Sequence, residues 1–198
     1  MSGMMDRVMK DKAHERTITV ATYPAGEGRV VVEGRLVDRR MSDYYLVTGE
    51  KKPAGDIHNM VIRLLVNTAD MKIEDVEVDL DAVPRRECSE VRDSLSAIKG
   101  ERIVRGYSDR MKKLLGGAKS CTHLVALLIA MGPAALQGIF SSRAQKPMDI
   151  ASMVSDPVRV KFFMDTLVNT CHVWREDGPE LKRLRDFIGS VGGPTSSR

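Results

Sequence analysis

An α+β fold is what the sequence predicts: an antiparallel sheet of about four strands, a layer of helices on one face, and a helical C-terminal extension. Three observations carry the prediction. Before Pro84 one segment is rich in β-branched residues and three alternate apolar and polar side chains, the spacing becomes helical after it, and the chain changes character again beyond Arg143. At 198 residues the chain is long enough to bury a core of its own. The expected divisions are a mobile arm at 1–16, an α+β domain at 17–140, and a helical extension with a loose tail at 141–198.

The first strand is expected at Thr17 to Tyr23, rich in β-branched residues and ended by Pro24-Ala25-Gly26. Arg29 to Asp38 is the second, with Val30, Val32 and Leu36 on one face, and the two should form a hairpin. A polar connection from Arg39 to Gly55 leads to the third strand, His58 to Asn67, in which Met60, Ile62, Leu64 and Val66 alternate with polar neighbours. The fourth, Lys72 to Leu80, sets Val76, Val78 and Leu80 against Glu77, Asp79 and Asp81. Strict period two over such lengths means a sheet with one wet face, usually antiparallel.

After Pro84, the residues Val91, Leu95 and Ile98 recur at spacings of four and three, and Gly100 can end that helix. Tyr107, Met111, Leu114 and Leu115 mark the next, closing at Gly116. A third helix is expected from Ser120 to Phe140, with Pro133 as a kink or break. Pro147 to Thr170 reads as helical, Lys161 to Val168 above all, and Glu180 to Ile188 as a further amphipathic helix. The end of the chain from Gly192 is expected to be loose.

Thirty-one basic against 27 acidic residues leave a net charge of +4, and aromatics make up only 5 %. Without a dense Lys/Arg block this does not point to nucleic acid. No run reads as the roughly 18 apolar residues of a membrane span, and Met1 to Arg16 lacks the apolar core of a signal peptide. A cytoplasmic protein without membrane contact is therefore expected, and three cysteines without close pairing fit a reducing compartment. A protein partner stays open.

All three cysteines and three of the four histidines fall in four short places: His58 beside Asp56, Cys88 after Pro84, Cys121 with His123, and Cys171 with His172. Gly116 and Gly117 are placed to close one helix and Ser120 to open the next. Cys121 then falls in the first turn of an apolar helix, whose positive end favours the thiolate, the form that attacks electrophiles and binds metals. Each of these residues also has a structural reading. Cys121 can be a small buried hydrophobe and His58 an exposed strand residue, while Cys171, His172 and Trp174 can anchor the extension. The acids Glu74, Asp75, Glu77, Asp79 and Asp81 read as the solvated face of a strand.

The order Gly55-Asp56-Ile57-His58, strand, Lys72-Ile73-Glu74-Asp75, cysteine, helix, Lys99-Gly100, helix, and Gly-Gly-x-x-x-Cys-Thr-His-Leu ending at Leu124 is similar to a family of bacterial proteins of unknown function. The match runs back to about His14 through Arg35-Leu36-Val37-Asp38. More loosely, the chain resembles iron–sulfur scaffold proteins of the IscU and NifU type. That resemblance implies an IscU/NifU-like α+β domain, with the scaffold aspartate falling on Asp56, the second cysteine on Cys88 and the third on Cys121. The first scaffold cysteine falls on Ala54, which has no ligand atom, and Ser120 replaces the histidine before the third, with His123 on its other side. What the resemblance leaves is a metal set of His58, Cys88, Cys121 and His123, with Asp56 as a further ligand or as the partner that orients an imidazole. A Cys₂His₂ complement suits zinc or a single iron better than an iron–sulfur cluster held by four thiolates.

Three function classes follow. The first is a metal-binding or sulfur-handling protein related to cluster scaffolds. The second is a non-catalytic interaction module with structural cysteines. The third is an enzyme with Cys121 as nucleophile and His123 or His58 as base, for which the chain offers no oxyanion or substrate motif.

Overall fold

Apolar side chains at every second position before Pro84 build the sheet, and the computed structural model, which describes residues 3–145, 147 and 149–192, shows how they pair. Strands β1 (His14–Pro24), β2 (Arg29–Arg40), β5 (Gly55–Asn67) and β6 (Ile73–Ala82) form one antiparallel sheet in the order β1-β2-β5-β6. The hairpin expected between the first two strands is present, with Thr17 opposite Val37 and Tyr23 opposite Val31. The first strand begins at His14, so that His14 and Arg16, read from sequence as part of an arm, belong to the sheet. The arm before it carries a short helix, α1 (Met4–Val8). The connection between β2 and β5 holds an unexpected two-residue hairpin, β3 (Tyr44–Tyr45) with β4 (Lys51–Lys52).

The inward face of the sheet is the apolar one. Val30, Val32 and Leu36 on β2 and Met60, Ile62, Leu64 and Val66 on β5 are all buried. On the opposite face Arg63 donates to Glu33 at 2.7 Å and to Asp79 at 2.6 Å, an exposed charge row that keeps that face wet. Such surface pairs are each worth about 0–1 kcal/mol, so the fold rests on the other face.

Helices cover the apolar face. The segment expected as the first helix is a 3₁₀ turn series, Arg86–Ile98, which buries Leu95 and Ile98. Next come α2 (Tyr107–Leu115) and α3 (Thr122–Arg143). Pro133 neither breaks nor ends α3, although it removes one backbone donor from the ladder. Leu124, Leu127, Leu128, Met131 and Ala135 of α3 are fully buried. By length and hydropathy alone this helix could cross a bilayer, which corrects the reading that no run is apolar enough; in the fold those residues make the core. Close approach is bought by glycine on β2, since a Cβ on Gly34 would lie 2.6 Å from the sulfur of Met131.

The chain divides into two compact units, Met1–Ile139 and Phe140–Arg198. Within the second, Asp149 caps α4 (Ile150–Val154) through the N–H of Ser152, and Asp156 caps α5 (Pro157–Leu167) through the N–H groups of Val158 and Arg159. Helix α6 (Pro179–Gly192) follows a loop in which Asn169 N–H donates to the carbonyl of Trp174. Cys171 is exposed there. Residues 193–198, where loose chain was expected, lie outside the described residues.

Candidate metal centre

Three strands and one helix end supply the site. Arg16 on β1 lies directly opposite Asp38 on β2, and Asp38 directly opposite His58 on β5. Directly paired residues share a face, so these three side chains form a row across the sheet. The row lies in phase with the buried Leu36 and Met60, two residues away along β2 and β5, and therefore points to the core side. His14 stands two residues from Arg16 on the same face.

Asp38 is the hub. Its side chain is 2 % exposed, and Arg16 donates from Nε to Oδ1 and from Nη2 to Oδ2, each at 2.7 Å. His58 Nδ1 lies 3.0 Å from Oδ2 and His14 Nε2 3.3 Å from Oδ1. His123, the second residue of α3, brings Nε2 to 3.7 Å from Oδ2. The hydrogen bonds and charge of Arg16 hold the Asp38 carboxyl down at about 2, against a burial effect of opposite sign, with His58 helping. Burial lowers the His123 imidazole below the ordinary histidine value, with the charges of His58 and Arg16 adding to it and Asp38 opposing. The His58 and His123 rings lie 3.8 Å apart between centroids at 32°.

Asp38, His58 and His123 each offer a ligand atom, and these atoms all lie within 4.8 Å of one another. This is a group able to hold a metal ion. Of the sequence candidates, His58 and His123 stand in this group, while Asp38 and its neighbours His14 and Arg16 were not among the candidates. The other sequence candidates stand elsewhere or take another role. Asp56 is turned away: a bulge shifts the register after the Asp38 and His58 pair, so that Asp56 faces Arg39, accepts from its Nε at 2.6 Å and shares its side of the sheet. The carboxylate that joins the imidazoles is thus Asp38. Cys88 lies in the 3₁₀ segment and, among the described residues, does not belong to the group of ligand atoms. Cys121 does not belong to it either. Its carbonyl accepts from Val125 N–H, so Cys121 and not Ser120 holds the capping position of α3, and its Sγ lies 3.4 Å from Nδ1 of His123. Ser120 is engaged with the Ser94 hydroxyl at 2.7 Å.

Residues 14–137 match the family described as a protein of unknown function, DUF2889. The chain belongs to that family. The matched segment begins at His14 and so contains every residue of the Asp38 cluster. No curated protein and no solved structure matches the chain. For this DUF2889 protein the site itself is therefore the ground on which function is argued.

Proposed function

We propose that this protein binds a single divalent transition-metal ion, zinc or ferrous iron, through Asp38, His58 and His123. The observation that carries the reading is one buried carboxylate oxygen, Asp38 Oδ2, standing 3.0 Å from His58 Nδ1 and 3.7 Å from His123 Nε2. Ligand atoms bonded at the usual ~2.0–2.2 Å to one zinc are separated from each other by about 3.0–3.5 Å, so small side-chain shifts complete the shell. Two imidazoles and one carboxylate leave coordination positions open, the arrangement of catalytic zinc and of non-haem iron rather than of closed structural sites. A neutral His123 suits this, because a metal takes the lone pair of an unprotonated imidazole.

The resemblance to cluster scaffolds is in keeping with metal handling in general, although the scaffold positions fall on Asp56, Cys88 and Cys121 and not on the gathered ligand atoms. The donor set argues for one ion in place of an iron–sulfur cluster, since Ala54 offers no ligand and Cys88 is not among the gathered atoms. A second reading rests on the fork of Arg16, which already neutralises Asp38 and makes the cluster a buried polar network in an interaction module. Metal analysis separates the two. Protein purified without oxygen or chelator should carry or take up about one equivalent of Zn²⁺ or Fe²⁺, and His58→Ala and His123→Ala should lose it. Stoichiometric absence of metal, with no uptake on titration, leaves the polar network as the function of the cluster.

A further inference from the structure

The two ring nitrogens of His123 face different partners, Nε2 toward Asp38 and Nδ1 toward the sulfur of Cys121. We infer that Cys121 is the positioning residue of the centre: it accepts a hydrogen bond from Nδ1 of His123 and so keeps Nε2 unprotonated and aimed at Asp38. This rests on the metal reading above for its purpose, although the hydrogen bond itself does not need the metal.

A neutral imidazole carries its proton on one nitrogen, and the bond made by the other decides which. For Nε2 to bind a metal the proton must sit on Nδ1, and a half-buried N–H there requires an acceptor. The Sγ of Cys121 is at 3.4 Å, an N–H···S distance. The nitrogens of a five-membered ring diverge, so a sulfur that meets Nδ1 lies on the side of the ring turned away from Asp38. This accounts for the absence of Cys121 from the gathered ligand atoms although it is two residues from one of them. Its capping position fixes the contact, because the backbone of Cys121 is tied to Val125 at 3.0 Å and the side chain stays beside the first turn of α3. His58 has no such arrangement, since its Nδ1 is the nitrogen that faces Asp38.

Cobalt(II) is the probe, because a thiolate bound to it gives an intense near-ultraviolet charge-transfer band. The wild-type protein should bind Co²⁺ without that band. Cys121→Ser, which keeps an acceptor, should bind comparably, whereas Cys121→Ala should lose about 10–100-fold in affinity, the usual effect of removing a group that orients a metal-bound histidine. A charge-transfer band that disappears in Cys121→Ser makes the sulfur a ligand and overturns the inference, as does wild-type affinity in Cys121→Ala. If neither the wild type nor His123→Ala binds cobalt, the metal reading has failed on its own. The hydrogen bond is then read in the metal-free protein from the ¹⁵N shifts of His123, with Nδ1–H expected in wild type and Cys121→Ser. An Nε2–H tautomer in the wild type would refute it.

Discussion

Arg16 grips Asp38 across the β1 and β2 ladder with two parallel hydrogen bonds of 2.7 Å, at a carboxylate that is almost wholly removed from water. Bidentate guanidinium–carboxylate pairs are among the strongest charge-assisted contacts in proteins. Removing the guanidinium leaves a buried anion with imidazoles as its main partners. Arg16→Ala is expected to destabilise the fold by about 1–3 kcal/mol, less than the ~3–5 kcal/mol of a fully buried pair because Arg16 itself is 39 % exposed. Arg16→Lys should recover only part, since an ammonium cannot make the fork. Urea unfolding reads both; an unchanged midpoint in Arg16→Ala would remove the pair from the account of stability.

The same carboxylate makes stability depend on pH at the acid end. Asp38 titrates at about 2 in the fold against an ordinary 3.8, so the unfolded chain takes up its proton first as pH falls. Its contribution is complete above 3.8 and is lost as pH drops through about 2, a total of about 2 kcal/mol. His123 acts in a higher window with the same sign. Its lowered value means that below about 6.5 the unfolded chain binds a proton that the folded chain still refuses, so stability declines as pH falls from there. In a profile of unfolding free energy from pH 7 down to 2, His123→Gln should flatten the slope below about 6.5, and Asp38→Asn should remove the loss that sets in below 3.8.

Helix α3 meets β1 at Gly138, where the side chain of Thr22 leaves no room for a second one. A Cβ on Gly138 would stand 2.1 Å from the hydroxyl oxygen and 2.3 Å from the Cβ of Thr22. Gly138→Ala must push the helix off the strand, and a loss of about 1–3 kcal/mol is expected. Gly189 on α6 is the control, for nothing lies within 4 Å of its added methyl, and Gly189→Ala should be neutral or stabilising by about 0.5–1 kcal/mol. Thermal unfolding of the two variants should therefore move in opposite directions or, at least, by clearly different amounts.

The sheet was legible because its inward residues are apolar at strict period two. The site was only half legible, and the reason is register. Arg16 lies in phase with Ile18 and Val20, Asp38 with Leu36, and His58 with Met60. A polar residue that continues an apolar row is a signal that it faces inward, and three such row ends were in the sequence. What joins them is the pairing of Arg16 with Asp38 and of Asp38 with His58, which no single strand contains. The 3₁₀ form of Arg86–Ile98 was illegible for a different reason: the spacings of four and three from Val91 through Leu95 to Ile98 suit an α-helix, and only the step of three between the buried Leu95 and Ile98 fits the tighter winding. Asp56 misled because the bulge beside Ile57 breaks the alternation that would have put it on the same side as His58.

That bulge gives the sharpest test of where the centre lies. By motif order the carboxylate of the site is Asp56, whereas by geometry it is Asp38, and the two carry different neighbours. Asp56 pairs with the exposed Arg39 and has its carboxyl lowered chiefly by that hydrogen bond. Solvent screens an exposed pair of this kind, so Asp56→Asn should leave the fold nearly unchanged and metal affinity within about twofold of wild type. Asp38→Asn keeps the shape of the side chain while removing the anion, and should lower metal affinity by at least tenfold without emptying the core. Cys88→Ser, outside the gathered ligand atoms, should behave as Asp56→Asn. Calorimetric titration of the three variants with Zn²⁺ decides the matter. Loss of binding in Asp56→Asn or Cys88→Ser with retention in Asp38→Asn would move the centre to the positions that the scaffold resemblance implies.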